Sequence, residues 1–187
     1  YVPAAPTDTL DMGASVTVGN YNTMSEEAYI SAPLSDVLSF RLSQRVQHAS
    51  GWQKSLTRPD GPDSRNGKKR VYEGRLLVDF EPSDTVKFQL NLNGWKDKGE
   101  PQAAQLVGFN VQIPGFANPD VLASPLAPAD NTAADWVAGL PKRDNYFYQF
   151  SLRGDIELLD DVTLTSVSSY SRLKQHESID WDGTALE

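Results

Sequence analysis

Apolar and polar residues alternate along most of this chain with a period of two. The first run sets Leu10, Met12, Ala14, Val16 and Val18 against Asp11, Gly13, Ser15, Thr17 and Gly19. Successive side chains of an extended strand point to opposite faces, so the run predicts a strand with one apolar and one polar face. A second run carries Ala28, Ile30 and Ala32. A third opposes Leu38, Phe40, Leu42 and Val46 to Ser39, Arg41, Ser43, Arg45 and Gln47, and a fourth opposes Tyr72, Leu76, Val78 and Phe80 to Glu73, Arg75 and Asp79, with Leu77 interrupting its polar side. The fifth alternates Val86, Phe88, Leu90 and Leu92 with Lys87, Gln89, Asn91 and Asn93. The sixth sets Tyr146, Tyr148, Phe150, Leu152 and Ile156 against Gln149, Ser151, Arg153, Asp155 and Glu157. A seventh, residues 161–173, is more polar, and its facing stays open. The pattern predicts an all-β chain of about seven strands.

The connections alternate in length. "PLSD" (33–36), "EPSD" (81–84) and "LLDD" (158–161) are compact and rich in Pro, Ser and Asp, whose side chains favour turn geometry. Between them lie long segments near 49–69 and 98–143, the second with Pro101, Pro114, Pro119, Pro125, Pro128 and Pro141. These long segments read as irregular surface loops, with a short helical turn at "ADWVAG" (134–139). An antiparallel up-and-down meander puts alternate connections at opposite ends, so short turns gather at one end and long loops mostly at the other. A transmembrane β-barrel has this form, with short periplasmic turns and long external loops.

Periodicity alone leaves open what each face meets. An apolar core behind and water in front gives a soluble β-sandwich, for which a carbohydrate-binding module is the natural function. Lipid outside and a wet lumen inside gives a barrel. On the second reading Arg41, Arg45, Glu73, Arg75, Lys87, Asn91, Asn93, Arg153 and Asp155 face the lumen.

The 39% hydrophobic content is low for a packed core. No apolar run is long enough for a membrane-spanning helix, which says nothing of strands. The net charge of -8 opposes nucleic-acid binding, which needs cations to neutralise phosphates, and "KKR" (68–70) reads as a solvated loop end. With no cysteine there is no disulfide, thiol nucleophile or thiolate metal site. The chain opens at Tyr1 without a leader pattern and reads as a mature form or an internal fragment.

In order and spacing, "YVPAAPTDTLDMGASVTVGNYN", "SAPLSD", the strand with Arg41 and Arg45, "RLLVDFEPSDTVKFQLNLNG" and "DVTLTSVSSYSRLKQ" resemble the TonB-dependent receptors of Gram-negative outer membranes, at the point where the barrel begins after the N-terminal plug. The likeness covers nearly all the chain outside the 98–143 loop. It implies that residues 1–187 are part of a large barrel, that the localisation is the outer membrane, and that the function is active import of a scarce or large solute such as a siderophore, cobalamin, haem or an oligosaccharide. The implied partners are outer-membrane lipid, the plug domain and remaining barrel strands, the TonB complex acting through the plug, and the solute. No plug or TonB box is recognisable, and seven strands fall short of the roughly 22 such a barrel needs.

Catalytic motifs are missing: there is no G-x-S-x-G, P-loop, H-E-x-x-H or C-x-x-C, so no enzyme, cofactor or metal is expected, and an outer-membrane barrel enzyme is the weakest alternative. His48 and His176 read as surface residues, and Asp160 and Asp161 as turn formers. "ESIDWDG" offers Glu177, Asp180 and Asp182 without the full ligand spacing of a calcium loop, and "DGPDSRNG" (60–67) does not fit that motif either. For solute contact the candidates are Trp52, Trp95, Trp136 and Trp181, since an indole stacks on a sugar or apolar ligand and still donates a hydrogen bond. The competing role is an aromatic girdle, to which Tyr72, Tyr146, Tyr148 and Trp95 are also suited, although its period places Trp95 with Asn91 and Asn93.

Overall fold

The computed structural model describes residues 4–113, 115, 118–129 and 132–187. Pro114 and the first three residues of the chain lie outside these. Seven strands form one antiparallel meander in chain order: β1 (Asp11–Gly19), β2 (Thr23–Ser35), β3 (Leu38–Ala49), β6 (Lys69–Ser83), β7 (Val86–Asp97), β10 (Asn145–Leu159) and β11 (Val162–Lys174). The long connections carry the short strands β4 (Gln53–Ser55), β5 (Arg65–Asn66), β8 (Ala133–Ala134) and β9 (Lys142–Arg143), and β12 (Glu177–Ser178) follows the sheet. The all-β antiparallel meander expected from the alternation is therefore present. The sheet is open, with β1 and β11 as its edges among the described residues.

At one end, Asp36–Val37, Asp84–Thr85 and Asp160–Asp161 join the hairpins. Each of these turns has a register shift beside it, between Pro33 and Ser35, Phe80 and Ser83, and Glu157 and Leu159. Such bulges strengthen local twist, and they let the strands run on into residues whose composition suggests a turn. At the other end only β1 and β2 have a short connection, where Tyr21 (φ 58°) and Asn22 (φ 52°) take the left-handed conformation that a tight reversal needs.

Register aligns like with like across the whole sheet. One cross-strand row reads Met12, Ile30, Leu42, Leu76, Leu92, Phe150, Tyr170, and the next toward the short turns reads Ala32, Phe40, Val78, Leu90, Leu152. Directly paired residues share a face, so these rows make a single apolar surface. It is uncovered: Met12 is 66% exposed, Val16 62%, and Ile30, Leu42, Leu92, Phe150 and Tyr170 are also exposed. The opposite face carries most of the sheet's charged residues. β11, ambiguous in sequence, is fixed by Thr165, whose Oγ1 donates to Asp155 on the polar face (2.6 Å), leaving Leu164, Tyr170 and Arg172 on the apolar one.

The buried core lies elsewhere. Ala103, Ala134 and Trp136 form it, joined by buried polar residues Gln53, Ser55, Asn66 and Asp135, all within the long loops. Ala134 belongs to β8, which pairs in parallel with β4 and so ties the 98–144 loop to the 50–68 loop. The helical turn expected at 134–139 is thus a strand pair followed by a turn. The one short helix among the described residues is α1 (Pro119–Leu122), capped by the Asn118 side chain, which accepts from the Asp120 amide, with Pro119 at its start.

Candidate functional site

The polar face encloses a groove of about 710 Å³. β2, β3, β6 and β7 supply its floor, because every second residue of each strand points into it. Arg45 stands between two carboxylates, Glu27 at 3.1 Å and Glu73 at 3.8 Å. Arg41 lies 3.4 Å from Asp11 and over the ring of Tyr29, 4.1 Å from its centroid, while the Tyr29 hydroxyl donates to Asp11 at 3.1 Å. Farther across, Gln89 donates to Asp79, Asn93 donates to Gln149, and Arg153 pairs with Asp155 at 2.7 Å. Lys87 pairs with Glu81 near the short turns. Exposed and half-exposed pairs of this kind contribute little to stability. Their effect is to hold long side chains in fixed positions on one surface.

Leu77 and Ser31 stand out on this face by their burial. Leu77, the interruption noted in β6, is 2% exposed and sits in register between Arg41 and Asn91. Ser31 is fully buried: its hydroxyl accepts from the Thr7 amide and donates to the Phe40 carbonyl, both at 3.0 Å. Thr7 and Ala4 thereby lay the segment before β1 against the polar face, with Ala4 lining the groove.

The four tryptophans occupy three kinds of place. Trp95 pairs in register with Glu73 and Phe147, lines the groove, and stacks on Phe147 with centroids 6.3 Å apart. Trp181 is 79% exposed on the loop side. Trp52 is half-buried against Gly67, and Trp136 is buried at 2% beneath Arg58, which donates to its carbonyl. Trp95 and Trp181 are open to a solute. Trp136 is an anchor of the loop cap, and a solute reaches it only if that cap opens.

The cap is built from polar residues that the sequence pattern did not single out. Gln53, fully buried, donates from Nε2 to the Ala103 carbonyl (3.0 Å) and accepts through Oε1 from the Ala103 amide and Asn66 Nδ2. Asn66 also donates to the Pro101 carbonyl. Asp135, 1% exposed, accepts from Ser55 Oγ (2.6 Å), the Leu56 and Thr57 amides and Thr57 Oγ1. A buried polar group is tolerated when all its bonds are made, and these bonds replace an apolar core. Nothing local marks these residues, since their partners lie up to 80 positions away.

The remaining candidates also serve the loops. Glu177 pairs with Arg143, which also meets Asp97 at 3.0 Å, Asp180 accepts from the Val137 and Asp182 amides, and Asp182 accepts from the Thr184 amide. No group of three metal-ligating side chains converges among the described residues. His48 lies on the apolar face opposite Arg70, and the His176 amide donates to Asn145. In "KKR", Lys68 pairs with Glu100, and the other two residues open β6.

Gly67 gives a direct test of the cap. It holds φ at +86°, and a Cβ there would meet Trp52 Nε1 at 2.6 Å. Gly67→Ala is expected to cost the cap about 1–3 kcal/mol and to move Trp52 into water. The measurement is a red shift in tryptophan emission, absent when Trp52 is also replaced by phenylalanine. No protein family, curated protein or solved structure gives a match to this chain.

Proposed function

We propose that the chain is a section of a TonB-dependent outer-membrane transporter barrel, the part that follows the plug, and that the parent protein imports a scarce or large solute. The observation that carries this reading is the partition of charge across the sheet. The polar face holds Asp11, Glu27, Arg41, Arg45, Glu73, Arg75, Asp79, Lys87, Arg153, Asp155 and Glu157, whereas every charged residue on the apolar face (Glu26, Arg70, Lys96, Arg172 and Lys174) lies toward the long-loop end.

Dimensions support it. Seven strands at about 4.8 Å spacing make a face about 29 Å wide. Along β7 the uncharged outer positions run from Val86 to Gly94, about 27 Å of strand, or about 21 Å of height at a 40° tilt. That is close to the roughly 25 Å lipid-facing band of outer-membrane barrels. A soluble monomer rarely leaves a continuous apolar surface of this size uncovered. The groove and its ordered ions then form the lumen wall, and the cap of loops stands at the external mouth, where a solute arrives first.

The test uses the full-length parent protein. It is expected in the outer-membrane fraction, released only by detergent, with faster gel mobility unboiled than boiled. A strain lacking it is expected to lose growth on one limiting iron chelate, haem, cobalamin or oligosaccharide, and to lose it equally when the energy-coupling complex is removed. Recovery of the parent in the soluble fraction without detergent sinks the proposal.

A further inference from the structure

A second cavity, of about 540 Å³, lies at the short-turn end of the polar face, next to the groove. The strands divide between the two with no shared residue. On β2 the groove takes Glu27 and Tyr29 and the second cavity takes Pro33; on β3 the division is Arg41 against Ser39, and on β6 it is Leu77 against Asp79. Cross-strand pairing aligns Ser31, Arg41 and Leu77 in one row, and that row is the boundary. The two spaces differ in charge. Arg41, Arg45 and Arg75 line the groove beside Glu27 and Glu73, whereas the second cavity has Asp8, Asp36, Asp79 and Glu81 and no cation in its lining.

The segment before β1 crosses that boundary. Ala4 lines the groove, Asp8 lines the second cavity, and between them the Thr7 amide donates to Ser31 Oγ at 3.0 Å. Ser31 is fully buried at this crossing. Past it, β1 is held firmly: Asp11 accepts from the Tyr29 hydroxyl and meets Arg41, and Tyr29 lies so close over Gly13 that a Cβ there would meet its Cε1 at 2.7 Å. Between the crossing and β1, Asp8, Thr9 and Leu10 are exposed, and Thr7 Oγ1 donates to the Thr9 carbonyl at 2.8 Å. The segment therefore has a firm root in β1, an exposed bend, and a crossing held through the Ser31 hydroxyl.

We propose that residues 4–9 are a strap that opens and closes the partition between the groove and the acidic cavity, with the Ser31 hydroxyl as its latch. The reading of the apolar face does not enter this inference. Ser31 Oγ also donates to the Phe40 carbonyl at 3.0 Å, which keeps the latch point fixed in the sheet when the strap leaves. A hydrogen bond between neutral groups contributes little net free energy, because water replaces it when it breaks. An exposed segment held in this way opens locally, without unfolding of the strands beneath. Lifting the strap about the bend at Asp8, Thr9 and Leu10 uncovers Ser31 and the boundary row, and joins the two cavities into one trough along the polar face.

The experiment uses the full-length protein, in a background without other cysteines, with Leu77→Cys as a reporter thiol in the boundary row, where the native side chain is 2% exposed. Its reaction with methyl methanethiosulfonate, a small neutral reagent, is followed by mass spectrometry, with Asp8→Cys as the freely reacting control. With the strap intact the reporter is expected to react far more slowly than the control. Thr7→Pro removes the donated N–H and leaves every residue of the sheet in place, and it is expected to speed the reaction roughly tenfold, as loss of one hydrogen bond requires. Ser31→Ala is expected to do the same, and the two together to add nothing further, because both delete one bond. In the protein without the reporter, the amides of residues 4–9 are expected to exchange hydrogen well before those of β3 and β6. An unchanged thiol rate in Thr7→Pro, additive effects in the double variant, or exchange of residues 4–9 in step with β3 and β6 overturns the proposal.

Discussion

Leu92→Arg in the full-length protein is expected to lower its stability in lipid vesicles by about 2–4 kcal/mol and to reduce the heat-modifiable fraction sharply. Leu92 is 37% exposed in the middle row of the apolar face, between Leu76 and Phe150. On the proposed barrel reading a guanidinium there would meet hydrocarbon, at a cost greatest at the bilayer midplane. In water the same exposed position would accept arginine within about 0.5 kcal/mol. The difference separates lipid from solvent by a factor of at least about 10 in the folding equilibrium. Asn91→Arg, one residue along and on the polar face between Leu77 and Ser151, is expected to change stability far less. Denaturant unfolding from vesicles measures both, and a Leu92→Arg loss no larger than that of Asn91→Arg would mean that no lipid touches this face.

A second large effect is expected at Asp135. Asp135→Ala removes the acceptor for two hydroxyls and two amides. Each buried donor left without a partner costs about 1–3 kcal/mol, and entry of water at half-buried Leu56 and exposed Thr57 keeps the total near about 3 kcal/mol. The loss falls on the loop cap, because Asp135 has no hydrogen-bond partner in the seven-stranded sheet among the described residues. Hydrogen exchange is expected to accelerate over residues 50–68 and 132–137 while β6 and β7 stay protected. Asp135→Asn, which keeps one carbonyl oxygen, should lose less. Unchanged protection of both loops in Asp135→Ala would show that the cap is held by other contacts.

The two predictions also divide what the sequence reveals from what it hides. Strands such as β3 and β7 are legible because their facing repeats every two residues and their ends carry Asp, Ser or Pro. The ends of β2, β6 and β10 run a little farther than the pattern suggests, since bulges beside Ser35, Ser83 and Leu159 keep the ladder going into the turns. β11 was ambiguous because Ser166, Ser168, Ser169 and Ser171 give both faces the same polarity, and only pairing with β10 resolves it. The cap is not legible in the sequence, because Gln53, Asn66 and Asp135 are polar types usually found at the surface and their burial depends on partners far along the chain. At 134–139 the apolar composition suggested helix, but pairing of Ala133–Ala134 with Lys54–Ser55 overrode it. The helix among the described residues, at Pro119–Leu122, has a legible start in Asn118-Pro119. Of the four tryptophans, composition could propose all equally; only the fold distinguishes exposed Trp181 from buried Trp136.

The number of strands has a further consequence. In a meander, direction reverses at every step, so the first and seventh strands, β1 and β11, point the same way. An antiparallel ring cannot be sealed by joining two parallel edges. Any closed antiparallel barrel containing this sheet must therefore insert an odd number of additional strands between Val162–Lys174 and Asp11–Gly19. The strand after β11 must run from the long-loop end toward the short-turn end, and the strand that seals against β1 must run the same way. That parity rule can be checked by counting the strands of the proposed full barrel.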